Sequence, residues 1–230
     1  MASAPRPPTP AELAANLARV EERIHRACAR ASRPRESVLL LAVSKVFPAE
    51  AILAAHALGL RDFGENYVQE MDRKAPQVRP LDARFHLIGH LQSNKSRRAA
   101  ELFDVIQTID SPKLARRLAE APGRVREVLI EVKLSEEESK YGCAPADLAA
   151  LIDALRALPA LRLTGLMTMP PWSDDPEAAR PYFVRLRELA QTHNLPQLSM
   201  GMSHDLEAAI QEGATIIRIG TALFGSRRRA

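Results

Sequence analysis

The sequence predicts an α/β fold, namely a (β/α)8 TIM barrel with an extra helix at its N-terminus. Short apolar runs alternate with helical patterns along the whole chain. Eight strand and helix units recur every ~20 to 35 residues, which is the arrangement of a TIM barrel. The 230 residues contain no break in composition, so we expect a single domain over 1–230, built on one core.

The eight predicted strands are short and rich in aliphatic residues. The first is an unbroken apolar run, as expected of a parallel strand that is buried on both faces. The second and seventh are the weakest, and an open doubly wound sheet is the alternative fold, although the number of strands favours the barrel. The predicted strands are 37–43, 61–63, 84–88, 104–109, 127–132, 161–167, 197–200 and 215–219.

A helix over residues 9–31 is predicted ahead of the first strand. Thr9 is suited to the N-cap and Pro10 to the first helical position. Residues 1–8 are rich in proline and are expected to form a loose leader, and residues 226–230 a tail. The apolar face of the helix consists of Leu13, Leu17, Val20, Ile24 and Cys28.

Composition and charge exclude several classes of protein. Apolar residues make up 46% of the chain and charged residues 26%, which is an ordinary globular composition. The net charge is +4, but the arginines alternate with glutamates on helical faces, as in Arg116 and Arg117 with Glu120. Without a basic stripe interleaved with aromatic residues, nucleic-acid binding is not expected. The runs 136–138 and 227–229 are interpreted as a solvated acidic loop and a solvated basic tail.

Two cysteines far apart in sequence, Cys28 and Cys143, provide neither a disulfide framework nor a zinc site. His86 and His90 are four residues apart, but they lie on a strand and a loop with no third ligand, so no metal site is expected. The sequence has no apolar run long enough to span a bilayer and no signal peptide. We therefore expect a cytoplasmic protein.

Lys45 directly follows the first predicted strand. The active site of a TIM barrel lies at the carboxyl ends of its strands, so this lysine is expected at the mouth of the barrel. Partial burial there favours the neutral amine, which is the nucleophile that forms Schiff bases with carbonyl groups. The alternative is an ordinary exposed lysine at a strand end.

The loops after the seventh and eighth strands suggest a phosphate site. Ser203 lies in the first of these loops, and Gly220 and Thr221 lie in the second. TIM barrels often bind phosphate with these two loops, through backbone N–H groups, hydroxyls and a helix N-terminus. Ser203 alone could simply cap a helix and Gly220 could simply form a turn, but their joint placement favours a phosphate site.

Two further polar residues lie near the predicted mouth. Arg218 interrupts the apolar eighth strand, and a charge there is costly unless it pairs with a carboxylate or faces a ligand. Asn66 ends the second strand, where it could bind a ligand or serve the turn.

Five segments occur in an order and spacing that resemble the pyridoxal phosphate homeostasis protein family, and the resemblance covers nearly the whole chain. They are LLAVSK at 40–45, FGENYVQE at 63–70, HLIGHLQSNK at 86–95, MGMS at 200–203 and RIGTALFG at 218–225. The resemblance implies a barrel like the N-terminal domain of alanine racemase, with pyridoxal 5′-phosphate (PLP) held as a Schiff base on Lys45. It implies that Ser203, Gly220 and Thr221 hold the phosphate.

The resemblance also places Arg218 against the pyridine nitrogen of the cofactor and Asn66 beside its ring. An arginine is always charged and disfavours protonation of that nitrogen, which makes the cofactor a weaker electron sink. This suits storage or racemase-like chemistry better than transamination. One departure from the family is Val46-Phe47, where many relatives carry a polar or basic residue after the lysine.

The function implied by the resemblance is PLP homeostasis without robust catalysis. True racemases carry a second, β-rich domain that supplies a tyrosine base, and 230 residues leave no room for one. A single-domain amino-acid racemase is the first alternative, and a Schiff-base aldolase acting on a sugar phosphate is the second. We expect a monomer, with PLP-dependent apo-enzymes as possible recipients of the cofactor.

Overall fold

The computed structural model describes residues 6–135 and 141–226. Within these ranges eight strands form a closed barrel in which all neighbours are parallel and the last strand pairs with the first. The predicted (β/α)8 barrel is therefore confirmed. The strands are β1 Leu39–Val43, β2 Asp62–Glu65, β3 Arg84–Leu87, β4 Val105–Ile109, β5 Arg126–Glu131, β6 Leu161–Met167, β7 Gln197–Met202 and β8 Ile216–Ile219.

Helices follow the strands around the outside of the barrel, and one more precedes them. The first helix has the predicted start: the Thr9 hydroxyl accepts from the Glu12 N–H, and the Glu12 carboxylate accepts from the Thr9 N–H. The helices of the described ranges are α1 Pro10–Arg30, α2 Ala49–Ala57, α3 Val68–Val78, α4 Ser96–Leu102, α5 Pro112–Ala119, α6 Leu148–Arg156, α7 Arg180–Thr192, α8 Leu206–Gln211 and α9 Thr221–Phe224.

The seventh strand is longer than the sequence predicted. It continues two residues beyond the predicted end, through Gly201 to Met202, with a shift in its register against β8. Gly201 has a φ of +88°, and a Cβ on it would lie 2.4 Å from the Cβ of Ala209. In the sequence, Gly201 suggests the end of the strand. In the structure, it allows β7 to continue and to bend close to α8.

The strands separate two apolar layers. The larger layer lies between the strands and the helices, and a smaller one fills the barrel. Alternation along β1 shows the division, because Leu41 belongs to the smaller cluster and Leu40 and Ala42 to the larger. The buried members of the smaller cluster are Leu41, Val43, Ile88, Val105, Leu129, Met167 and Ile216.

The helical surfaces have the expected character. Arg117 pairs with Glu120 across α5, as the sequence suggested for this charged face. Cys28 and Cys143 are both buried free thiols. No helix in the described part of the chain is long and apolar enough to cross a membrane. The runs 136–138 and 227–229, interpreted as an acidic loop and a basic tail, lie outside the described residues.

Gly165→Ala is expected to lower the free energy of unfolding by about 3 kcal/mol or more. A Cβ at this position in β6 would lie 2.1 Å from the carbonyl oxygen of Gln197 in the neighbouring strand, where backbone cannot move aside. Urea unfolding followed by circular dichroism measures the effect.

Gly59→Ala is the matched control. Its φ of +95° is unfavourable for alanine, but its Cβ would meet no atom within 4 Å, so we expect a loss of only about 1 to 2 kcal/mol. Equal losses for the two variants would contradict the packing argument.

Candidate functional site

A cavity of about 490 Å³ opens at the carboxyl ends of the strands. Its floor and walls include apolar side chains, among them Val43 and Ile88, which belong to the cluster inside the barrel. All six residues that the sequence selected line this one cavity: Lys45, Asn66, Ser203, Arg218, Gly220 and Thr221.

The turn that carries Lys45 has a constrained backbone. Val46 has a φ of +66°, a left-handed conformation that is unfavourable for a β-branched residue. Its N–H donates to the carboxylate of Glu70 in α3. Phe47 is buried and packs against Phe224, with the ring centroids 5.5 Å apart. Val46 thus lies on the rim of the cavity and Phe47 lies in the core.

A buried lysine, Lys74 of α3, stabilises this turn through hydrogen bonds and ion pairs. Its ammonium group donates to the Ser44 carbonyl oxygen at 3.0 Å, and to Glu65 Oε1 and Glu70 Oε1 at 2.7 Å each. The Ser44 hydroxyl donates to the same Glu65 oxygen at 2.7 Å. Since Glu70 also accepts from Val46, the backbone on both sides of Lys45 is tied to one ionic cluster.

This cluster, consisting of Ser44, Glu65, Glu70 and Lys74, satisfies the three N–H bonds of its ammonium group. Its two carboxyl groups share one cation, and Glu65 is fully buried in β2. Burial therefore raises the pKa of Glu65 despite the neighbouring ammonium group. The sequence pattern does not identify Lys74, because a lysine in a helix with a polar face looks like a surface residue.

The loops after β7 and β8 are joined by a hydrogen bond. The Ser203 hydroxyl accepts from the Ala222 N–H at 3.1 Å. The interpretation of Ser203 as a helix cap is therefore wrong: α8 begins at Leu206 with Asp205 at the N-cap position, and Asp205 binds the Met202 N–H at 2.6 Å.

The additional N-terminal helix supports both of these loops. Arg23 of α1 donates to the Ser203 carbonyl oxygen at 2.9 Å and forms a two-point ion pair with Glu207. Asn16 of the same helix donates to the Leu223 carbonyl oxygen at 2.8 Å. The helix therefore fixes the two loops relative to each other, a role that its apolar pattern did not reveal.

Arg218 forms part of the cavity floor and is almost fully buried. Its guanidinium group donates to the Ser199 hydroxyl and to the Thr168 carbonyl oxygen, both at 2.8 Å. Burial lowers the pKa of Arg218 to about 10, while the charges of Asp205 and Glu131 oppose that shift. Arg218 thus lines the cavity, and no carboxylate of the described residues lies within ion-pair distance of it.

Asn66 lies in the wall between this cavity and a neighbouring one of about 410 Å³. Its Oδ1 is buried and has no hydrogen-bond partner within residues 6–135 and 141–226. A buried acceptor without a partner is costly, so this oxygen is poised to accept from a ligand.

The two histidines near β3 are engaged with other groups. His86 contacts Asp62 and Gln107, and the ring of His90 stacks on Tyr141 with the centroids 3.7 Å apart. Across the described residues, no three histidine, cysteine, aspartate or glutamate side chains are placed to hold one metal ion.

Seven lining residues lie outside the six that the sequence selected, among them Val43, Ile88 and Ala222. Trp172 and Met169 lie in the loop after β6, and the Trp172 ring lies 4.9 Å from that of His204 after β7. Met202 completes the set. The available signal was position: Trp172 is the one tryptophan of the chain and follows a strand at its carboxyl end.

The fold is a closed parallel barrel with a lysine after its first strand and two polar loops after its last strands. These features define a class of barrel proteins that includes the N-terminal domain of alanine racemase. Residues 15–228 match the family model described as alanine racemase, N-terminal domain. An alanine racemase of Corynebacterium glutamicum has the same barrel, with a TM-score of 0.71 over 93% of this chain and 60% of that one, but at 18% identity it shows the fold alone.

Closer relatives define the family. The pyridoxal phosphate homeostasis protein of Pseudomonas aeruginosa is 50% identical, over 94% of this chain and 96% of the relative, and that of Aquifex aeolicus is 44% identical, over 92% and 97%. PipY of Synechococcus elongatus, solved with PLP bound, is 42% identical with a TM-score of 0.80, over 93% of this chain and all of that one. The chain belongs to the pyridoxal phosphate homeostasis protein family.

Lys74→Met is expected to lower the free energy of unfolding by about 3 kcal/mol or more at pH 7, because it leaves two carboxyl groups without their buried cation. Chemical denaturation measures the loss. Lys113→Met, at an exposed position in α5, is the control and should change stability by less than about 0.5 kcal/mol. The double variant Lys74→Met, Glu65→Gln should recover part of the loss, and strict additivity would contradict the cluster.

Glu131→Gln is expected to remove part of the pH dependence of stability. Burial raises the pKa of Glu131 from 4.5 to about 7, so the folded protein holds this proton more tightly than the unfolded chain. The resulting stability is fully present below about pH 4.5 and is lost as the pH rises through 7, by at most about 1.4 kcal/mol per pH unit. Relative to the variant, the wild-type protein should lose stability between pH 5 and 8 in urea titrations. A wild-type protein that gains stability over this interval would contradict the assignment.

Proposed function

We propose that this chain binds PLP in the 490 Å³ cavity as a Schiff base on Lys45 and serves intracellular PLP homeostasis, with no robust catalytic activity of its own. The observation that carries the proposal is the convergence of Lys45 with the polar loops after β7 and β8 around one cavity, in a member of this family.

The cavity fits such a cofactor in size and in chemistry. Its volume lies within the usual range for small-molecule sites, and its walls combine apolar side chains with a few polar groups. The buried Asn66 Oδ1 offers an acceptor beside the place of the ring, and Arg218 offers donors from the floor. The residues proposed for the Schiff base, the phosphate and the ring all line this one cavity.

Lys45 is the residue proposed to hold the cofactor covalently. When bound, PLP supplies an aldehyde that a lysine amine can capture, which restrains a reactive carbonyl. The chain positions that amine through the ionic cluster of Lys74. Lys74 donates to the carbonyl oxygen of Ser44 and to Glu70, and Glu70 accepts from the N–H of Val46.

The phosphate is assigned to Ser203, Gly220 and Thr221. The two loops that carry these residues are held together by the bond from Ala222 to Ser203 and are fixed from outside by Arg23. A preformed cradle of hydroxyls and backbone N–H groups recognises a phosphate without further ordering of the loops.

Arg218 supports binding rather than strong catalysis. With a pKa of about 10 its guanidinium group stays charged at neutral pH, and it has no acceptor atom. Beside a pyridine nitrogen it would disfavour protonation there, and so would limit the withdrawal of electrons on which transamination depends.

The relatives support the same assignment. Proteins 50% and 44% identical to this chain carry the name pyridoxal phosphate homeostasis protein, and PipY has been solved with PLP bound. We extend the proposal to a cytoplasmic monomer formed by a single domain, with PLP-dependent apo-enzymes as possible recipients.

Binding and covalent attachment can be measured separately. PLP added to the apo-protein should quench the fluorescence of Trp172, the one tryptophan of the chain, which lines the cavity. A visible absorption band should appear with it, and borohydride reduction followed by peptide mapping should place the adduct on Lys45. Lys45→Ala should lose the band and the adduct, with its circular dichroism unchanged, because this lysine lies at the mouth and outside the packed core.

Lys95→Ala is the matched control, because Lys95 lines the neighbouring 410 Å³ cavity. This variant should keep the band and the Lys45 adduct. A band that survives in Lys45→Ala, or a wild-type adduct on another lysine, would overturn the proposal. Loss of optical rotation in L-alanine incubated with the PLP-loaded protein would favour the single-domain racemase instead.

A further inference from the structure

A line of polar side chains crosses the interior of the barrel beside the apolar cluster that packs there. It runs from the amino end of β2 to the floor of the 490 Å³ cavity. We call it the interior chain; it consists of Asp62, His86, Gln107, Ser199 and Arg218.

The links of the interior chain are short. Arg218 Nη1 lies 2.8 Å from Ser199 Oγ, and Ser199 Oγ lies 2.6 Å from Gln107 Oε1. The amide nitrogen of Gln107 lies 3.0 Å from His86 Nδ1, and His86 Nε2 lies 2.9 Å from Asp62 Oδ1. Each of the three middle side chains is at most 1% exposed.

The two ends determine the direction of every hydrogen bond in the interior chain. A guanidinium group can only donate, so the Ser199 oxygen accepts from Arg218 and its single proton goes to the Gln107 oxygen. The Gln107 amide nitrogen then faces His86 and donates to Nδ1. The proton of a neutral His86 ring is therefore on Nε2 and is donated to the Asp62 carboxylate.

Fold stability does not require this arrangement. The packed cluster inside the barrel is apolar, and burying polar groups beside it costs free energy unless each is paired. A complete network removes that cost and holds its members in one geometry. The member that reaches the cavity is Arg218, whose second donor group is fixed by the Thr168 carbonyl oxygen.

We infer that Gln107 and His86 are positioning residues for Arg218, acting through Ser199 to fix the direction in which the guanidinium group faces the bound cofactor. The inference rests on the proposed PLP site, because only a ligand above Arg218 gives this orientation a function. The carboxylates of Asp205 and Glu131 attract the same guanidinium group from elsewhere, so without the interior chain several orientations of Arg218 would compete.

The first test compares two variants in β4. Gln107→Met keeps the length of the side chain and breaks both of its links, whereas Val105→Ala removes apolar volume two residues away and leaves the interior chain intact. With added PLP, Gln107→Met should bind about tenfold more weakly, and the pH midpoint of its absorption band should shift. Val105→Ala should keep the wild-type affinity and midpoint.

The outcomes separate the two proposals. A wild-type protein with no band and no Lys45 adduct would overturn the proposed function. A wild-type band and adduct together with an unchanged Gln107→Met variant would overturn the positioning role alone. A shift that is equally large in Val105→Ala would also overturn it, since general loosening of the barrel would then explain the effect.

The second test needs neither a variant nor the cofactor. Long-range proton–nitrogen NMR spectra of the apo-protein report which ring nitrogen of His86 carries the proton. We expect protonated Nε2 and unprotonated Nδ1. The opposite tautomer would reverse the direction of the interior chain and overturn the inference, even if Gln107→Met failed to fold.

Discussion

The pairing of β8 with β1 is the contact on which the site depends. It closes the barrel, with Leu41 opposite Arg218 in the register, and it brings the lysine after the first strand next to the loop after the last. Parallel strands end at the same rim, so closure also gathers the loops of β2, β6 and β7 there. An open sheet would leave the first and last strands unpaired and Lys45 far from Thr221.

Buried charge is the second organising feature. Lys74 beneath the Lys45 turn and Arg218 in the cavity floor are both buried cations. Neighbouring acceptors engage the three N–H bonds of Lys74 and two N–H groups of Arg218. Such charges contribute little net stability compared with apolar packing, but they hold geometry because each alternative orientation leaves a group unpaired. Lys45 and Arg218 are the two residues proposed to contact different parts of the cofactor. The ionic cluster of Lys74 positions the first, and a polar network positions the second.

The N-terminal helix has a structural role at the same rim. Arg23 binds a backbone carbonyl group in the loop after β7, and Asn16 binds one in α9, which follows β8. These contacts pre-organise the proposed phosphate cradle, and they fix α1 against the last two strand–helix units of the barrel. The helix thus supports the proposed binding site from outside the cavity.

The sequence by itself determined the order of the strands and helices, the barrel, the start of α1 at Thr9 and the six residues that line the cavity, because apolar periodicity and strand ends are local signals. Only the tertiary structure decided the partners of Lys74, Ser203 and Arg218, as well as the extension of β7 through Gly201. Those contacts join residues that are distant in the chain, and whether a lysine or a glutamine is buried depends on what packs over it. Hence the sequence indicated where the site lies, and the folded barrel alone established how its residues are held.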